Sequence, residues 1–409
     1  MNAPRCRLCQ AMLTDTFVDL GMSPPCESYL SAEQLDSGEV FYPLHVRVCA
    51  RCLLVQLPAY VDAGEIFSHY AYFSSYSDSW VAHAKTFVED AVERLSLGPD
   101  SFVVEVASND GYLLQHVVHR GIRALGIEPA ANIAEVALAN GVPTEVAFLG
   151  EATGGDVAAR HRAADLVVAN NVLAHVPDLV DFARGLRRLV AADGTVTIEI
   201  PHLLRLIEGN EYDTIYHEHY SYLSLLTTQR ALAEAGLVVV DVEELPTHGG
   251  SLRTWSVPAE RATPPSSAVA SVLAAESAAG LHSLSGHAGF SHAVARVRND
   301  LVEFLVERSR RGETVVAYGA PGKGNTLLNH CGVRADQIAF AVDRNPFKQG
   351  KFLPGTHIPV LPPERLTGAR PDYVLIMPWN LRDEISAQLH HVRNWGGRLV
   401  VALPQLEIF

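Results

Sequence analysis

The chain has 409 residues, 48% of them hydrophobic and 19% charged, with a formal net charge of −14. That length and apolar content suffice for two or three packed cores. The dispersed negative charge opposes broad attraction to nucleic acid or to an anionic membrane, although an anionic small molecule can still meet a local basic pocket. The opening MNAPRCRLCQ contains no apolar export region, and no apolar run approaches the roughly 18 residues of a membrane helix. A cytoplasmic protein with neither membrane nor nucleic acid as partner is expected.

Four of the six cysteines form two pairs, Cys6 and Cys9 in "CRLC" and Cys49 and Cys52 in "CARC". Two C-x2-C knuckles supply the four thiolates that tetrahedral zinc prefers, and a disulfide framework does not suit a chain without an export signal. Such a site has no position left for water, so the zinc is expected to hold a small domain over 1–68 together and do no chemistry. Cys26 and Cys331 read as small buried apolar residues.

The second domain is expected over 69–257. It begins with the aromatic segment "HYAYFSSYSDSW", read from residue types alone as a loop or helix start with buried rings. "FVVEVASNDGYLL" is then an apolar strand entering a small polar turn, Ala107-Ser108-Asn109-Asp110-Gly111, and a helix. "ALGIEPA" is a second strand, ending at Glu128, about 20 residues further on, where an acid meets ribose hydroxyls in dinucleotide-type sites. "ADLVVANNVLAHV" adds a strand followed by Asn170, Asn171 and His175, and "GTVTIEIPH" and "GLVVVDVEEL" add two more. Strands alternating with helical patterns predict an α/β fold with a parallel, doubly wound sheet and ligands at the carboxyl ends of its strands. The turn is not G-x-G-x-x-G, which opposes a nicotinamide or flavin site.

An Ala-, Ser-, Pro- and Gly-rich stretch from about residue 258 marks the start of a third domain, 258–409. The strand "TVVAYG", the turn "APGKGN", the helix "TLLNH", the strand "IAFAVD" and "PDYVLIMPW" predict a second, Rossmann-like sheet. Gly319, Gly322, Lys323 and Gly324 can offer backbone N–H groups and an ammonium to a diphosphate. The pattern departs from G-x-x-x-x-G-K-[ST], so an ATPase is a poor reading, while a redox dinucleotide stays open on the local pattern.

Between these stands "YHEHYSYLS", residues 216–224, with two histidines, a glutamate and three tyrosines. If the segment is helical, Tyr216, His219 and Tyr222 or Leu223 share a face and His217 points elsewhere. If it is extended, His217 and His219 share a side. An aromatic packed surface, or a metal site of two histidines and a glutamate, is the alternative to catalysis, although the H-E-x-x-H spacing is missing.

Strand, turn, second-strand acid and "NNVLAHV" together resemble class I S-adenosylmethionine-dependent methyltransferases. The paired cysteines, "HYAYFSSYSDSW", "EVASNDGYLL", "NNVLAHVPD", "YHEHYSYLS" and "HGGSLRTW", in that order, resemble one subfamily, the nucleotide-sugar C-methyltransferases, across essentially the whole chain. Cys26 in "SPPCESYL" departs from the small or polar residue usual there. The resemblance implies methyl transfer from S-adenosylmethionine to the third ring carbon of a dTDP-linked 4-keto-deoxysugar in branched antibiotic-sugar biosynthesis, by a monomer. It also implies His219 as the base, with Glu218 as its orienter and Tyr216, His175 and Tyr70 as further catalytic residues. Cofactor contacts carried over are Tyr70, Phe73, Ala107, Asn109, Gly111, Glu128 and Asn171, with the aromatic segment as a lid. Sugar-nucleotide contacts are Tyr216, His217, Tyr222, Gly322, Lys323 and Asn325. Oxygen methylation, methylation elsewhere on the sugar, and a non-catalytic zinc-containing binding protein are the competing functions.

Overall fold

The computed structural model describes residues 4–67 and 73–409, the side chain of Glu65 excepted. The chain forms two compact units, each assembled from separate stretches: Met1–Thr14, Cys49–Leu203 and Tyr220–Leu284 in the first, and Asp15–Val48, Leu204–His219 and Ser285–Phe409 in the second.

The first unit is built on a seven-stranded sheet. Its strands in chain order are β1 (Phe102–Val106), β2 (Arg123–Glu128), β3 (Thr144–Val146), β4 (Ala164–Asn170), β5 (Val190–Pro201), β6 (Leu237–Leu245) and β7 (Ser251–Pro258). In space they run β6-β7-β5-β4-β1-β2-β3. The β5-β4-β1-β2-β3 pairs are parallel, and β7 lies antiparallel to both of its neighbours. Every residue of β1 is buried, which explains why "FVVEV" is apolar on both faces except at Glu105 instead of alternating: a central parallel strand is covered on both faces. The order reverses between β1 and β4, so the turns after these two strands open at the switch point of the sheet, where open α/β sheets bind ligands.

"HGGSLRTW" supports this sheet. His248 takes a left-handed φ of 55° ahead of β7, and Gly249 and Gly250 also have positive φ. Arg253 on β7 then meets the fully buried Glu199 of β5 at 2.8 Å, and His83 closes on the same carboxylate at 2.9 Å.

The second unit carries a six-stranded sheet of β8 (Val315–Tyr318), β9 (Ala341–Val342), β10 (Val360–Leu361), β11 (Tyr373–Ile376), β12 (Arg398–Val401) and β13 (Glu407–Ile408), ordered β10-β9-β8-β11-β12-β13. All neighbours are parallel except β12 and β13. The same unit contains an antiparallel hairpin, Asp15–Ser23 with Tyr42–Val48, pinned where Phe17 stacks on Phe290 at 4.6 Å. No helix among the described residues is long and apolar enough to cross a membrane.

Candidate active site

The cysteine knuckles are built alike. Gln10 N–H donates to the Cys6 carbonyl and Leu53 N–H to that of Cys49, both at 2.9 Å. Gln10 and Leu53 both sit at positive φ, so each chain folds back and points two sulfurs the same way. The four sulfurs lie within 4.8 Å of one another, with Cys6 and Cys52 at 3.4 Å and Cys9 and Cys49 at 3.5 Å. Zinc–sulfur bonds of about 2.3 Å place tetrahedral sulfurs about 3.8 Å apart, so the cluster is of zinc size. Gln56 Nε2 donates to Cys6 Sγ at 3.2 Å, an outer contact of the kind that stabilises a metal-bound thiolate. Among the described residues this is the one group of three or more His, Cys, Asp or Glu arranged to hold a metal.

The turn after β1 places Ala107, Asn109 and Gly111 at φ of 54°, 50° and 82°. A Cβ at Gly111 would come within 2.8 Å of Val142 Cγ2, so close packing as well as φ demands glycine there. Glu128, at the end of β2, accepts from Asn109 N–H and Ala130 N–H, both at 2.9 Å. Its burial raises its pKa, against the lowering effect of those two N–H groups. From the segment beyond Tyr72, Ser74 N–H donates to Asn109 Oδ1 at 2.9 Å, and the Ser75 hydroxyl donates to Asp110 Oδ2 at 2.5 Å. Phe73 stacks on Tyr76. Buried side-chain atoms of Ser108, Asp110, Asn170 and Asn171 have no hydrogen-bond partner among the described residues. Unsatisfied polar atoms gathered at the carboxyl ends of β1 and β4 fit a polar ligand such as S-adenosylmethionine. His175 ends a short 3-10 turn after β4, its ring edge-on to Phe67 at 5.4 Å.

In the second unit, Tyr216–His219 is neither helix nor strand but a tight turn closed by His219 N–H donating to the Tyr216 carbonyl at 2.9 Å. The turn still brings residues three apart together: the Tyr216 and His219 rings lie 4.0 Å apart, and His217 turns instead to Tyr42, 5.8 Å away. Both alternatives for local structure are thus corrected, and the pairing of the helical one survives because an i to i+3 turn has nearly the same reach. His219 Nδ1 lies 2.7 Å from the Thr214 carbonyl. A carbonyl only accepts, so Nδ1 carries a proton, and in the neutral ring the lone pair is on Nε2. Glu218, expected as the orienter, has its Oε1 3.7 Å from Cys26 Sγ, and the hydrogen bond fixing the His219 tautomer comes from the backbone. Burial lowers the pKa of His217.

Residues 246–404 match the family of C-methyltransferase C-terminal domains, residues 80–242 a methyltransferase domain family and residues 6–67 a family named for zinc binding. The C-methyltransferase NovU of Streptomyces niveus is 37% identical over 403 residues, spanning 98% of this chain and 96% of that protein. The chain belongs to this family of C-methyltransferases. It is therefore an S-adenosylmethionine-dependent methyltransferase with an N-terminal zinc-binding domain. Two solved methyltransferases also align in part. One, from Anabaena variabilis, is 13% identical at a TM-score of 0.36, over 42% of this chain and 83% of its own. Magnesium protoporphyrin IX methyltransferase from Synechocystis is 16% identical at a TM-score of 0.33, over 46% and 85%.

Within this methyltransferase the expected cofactor residues Ala107, Asn109, Gly111, Glu128 and Asn171 come together at the carboxyl ends of the first unit's strands. Tyr70 lies outside the described residues. Tyr222 sits in the first unit on a two-residue strand, Ser221–Tyr222, paired with Val55–Gln56, so the helical face expected to include it ends at His219.

The expected diphosphate residues have protein partners. Gly322 packs on Cys26 and Glu27, where an added Cβ would meet Cys26 Sγ at 2.8 Å. Asn325 Nδ2 donates to the Cys26 carbonyl at 2.6 Å. Lys323 Nζ donates to Asn380 Oδ1 at 2.8 Å and lies 5.0 Å over the Trp379 ring, its pKa lowered by burial against the opposing pull of Asp213 and Glu211.

Sequence reasoning passed over Glu105, fully buried on β1, its pKa pushed well up by burial and then by Glu128 and Asp110. An acid inside an apolar central strand was the available signal. It also passed over the Thr214 carbonyl, for which residue type gives no signal.

Proposed function

We propose that this enzyme methylates the third ring carbon of a dTDP-linked 4-keto-deoxysugar, with His219 Nε2 as the base. The observation that carries the reading is the Nδ1–H bond to the Thr214 carbonyl, which in the neutral ring puts the lone pair on Nε2, the nitrogen a general base uses. A ketone at the fourth carbon acidifies the neighbouring C–H. His219 Nε2 takes that proton, the C–H electron pair moves into an enolate, and the carbon becomes the nucleophile. S-adenosylmethionine, when bound, supplies the electrophilic methyl group. Glu128 and the turn after β1 hold its ribose and methionine ends, and the segment through Tyr70 and Phe73 excludes water from the enolate. Tyr216, stacked near His219, and His175 donate to the enolate oxygen or the sugar. Glu218 and His217 shape the wall around the sugar, and the six-stranded unit takes the nucleotide. The relative's role as a C-methyltransferase supports transfer to carbon.

His219→Asn is the test. Turnover should fall by roughly 100-fold or more, the usual contribution of a general base, while both ligands still bind. The variant should also slow exchange of the acidified sugar proton into deuterated water in the presence of a methyl-free cofactor analogue. Full exchange and turnover in His219→Asn would move the base elsewhere. Wild-type methylation of a hydroxyl without exchange from any 4-keto substrate would end the enolate reading.

A further inference from the structure

The tautomer of His219 depends on where the Thr214 carbonyl points. Thr214 closes a three-residue 3-10 turn, Tyr212–Thr214, and the following residues up to His219 belong to no sheet or longer helix. A short turn of this kind has too few internal hydrogen bonds to fix its own carbonyl directions, so neighbouring side chains must do it. Two contacts bracket the carbonyl. On one side Trp379 Nε1 donates to Asp213 Oδ2 at 2.8 Å. On the other, Thr326 Oγ1, from the helix Gly322–Cys331, donates to the Ile215 carbonyl at 2.9 Å. The residues just before and just after Thr214 are therefore both tied to the segment that follows β8 and β11.

These ties are buried and specific. Asp213 is fully buried, and Trp379 Nε1 is the side-chain donor to its carboxylate, beside backbone N–H groups of Asp213 and Thr214. Burial raises the Asp213 pKa to about 6, with Lys323 and Trp379 acting in the opposite direction. Thr326 is 2% exposed, which leaves its hydroxyl no water to choose over the Ile215 carbonyl. Thr326 lies inside the helix Gly322–Cys331, and Trp379 opens a short 3-10 turn, Trp379–Leu381, after β11.

We infer that Trp379, Asp213 and Thr326 are positioning residues that hold the Thr214 carbonyl against His219 Nδ1 and so keep Nε2 the basic nitrogen. The inference rests on the reading of His219 as the base. It makes the six-stranded sheet part of the catalytic device as well as a place for a ligand, since the loop after β11 and the helix after β8 set the state of the base.

The test pairs a tautomer readout with kinetics. Long-range ¹H–¹⁵N spectra of histidine-labelled full-length enzyme report which ring nitrogen carries the proton, and the His219 signal is assigned by its loss in His219→Asn. Wild type should show the Nδ1–H form. Thr326→Val keeps the shape and Trp379→Phe keeps an aromatic ring, and each removes the donor. Each should shift His219 toward a tautomer mixture and lower kcat by about 10- to 100-fold, the range for a displaced catalytic group, with KM for the sugar nucleotide unchanged. Thr326→Ser keeps the hydroxyl and should restore both readouts. Should Thr326→Val fail to fold, Trp379→Phe, at a partly exposed site, carries the test. An unchanged Nδ1–H signal and unchanged kcat in the folded variants would overturn the inference even if His219→Asn is inactive. An active His219→Asn would defeat the base assignment, and the tautomer spectra would still decide whether these residues hold the ring.

Discussion

Glu128 offers the sharpest quantitative test of the cofactor site. Its two carboxylate oxygens accept from Asn109 N–H and Ala130 N–H at 2.9 Å each, inside a buried turn. Glu128→Gln preserves volume but keeps one acceptor oxygen, and its amide N–H2 then confronts one of those N–H groups. Leaving a buried donor unsatisfied costs about 1–3 kcal/mol, which should appear as a lower urea midpoint at unchanged slope. The ribose hydroxyls lose a charged acceptor as well. Hydrogen bonds to charged groups contribute about 1.5–3 kcal/mol, so S-adenosylmethionine affinity should drop by roughly 10- to 150-fold in titration calorimetry. Sugar-nucleotide affinity, measured in parallel, should stay within about twofold, because the substitution touches only the turns that follow β1 and β2. Equal losses for both ligands would refute the assignment of this turn to the cofactor. Unchanged stability with unchanged cofactor affinity would refute the role of the carboxylate altogether.

Elemental analysis should find one zinc per chain, and Cys49→Ser should impair folding far more than it alters kcat of whatever folds, since a four-cysteine site has no open coordination position; a fully folded zinc-free protein would contradict this. Stability should also fall as pH rises through the range set by Glu211. Burial, and then Asp213, push its carboxyl up to about 8 from an ordinary 4.5. The folded protein keeps that proton while the unfolded chain releases it, so the stabilisation is complete below about pH 4.5 and gone near pH 8, an effect on the order of a few kcal/mol. Thermal melts of Glu211→Gln should be flatter over that range than wild type. Parallel curves for the two proteins would show that Glu211 ionises normally.

Some of this enzyme was legible because its signals are local. A C-x2-C pair needs four residues to make a knuckle, and the two knuckles here repeat the same hydrogen bond and the same positive φ. Apolar runs ending in small polar turns, with Glu128 at the next strand end, carried the sheet and the cofactor turn, since a buried parallel strand imprints its environment on every residue. The histidine segment was harder. "YHEHYSYLS" has no period to follow, so neither helix nor strand was specified, and the turn it adopts sets His219 Nδ1 against the carbonyl of Thr214, outside the segment. Likewise "GKGN" matches a phosphate cradle in residue types, yet Lys323 turns to Asn380 and Trp379 and Gly322 packs on Cys26, partners hundreds or tens of residues away. The sequence by itself pointed to the cysteine knuckles and the strand–turn–helix units, because each depends on neighbours within a few positions, whereas His219 stood out from His217 only through the family resemblance. Only the tertiary structure decided that His219 Nδ1 meets the Thr214 carbonyl, because a backbone carbonyl is common to every residue and acquires a role only through where packing points it.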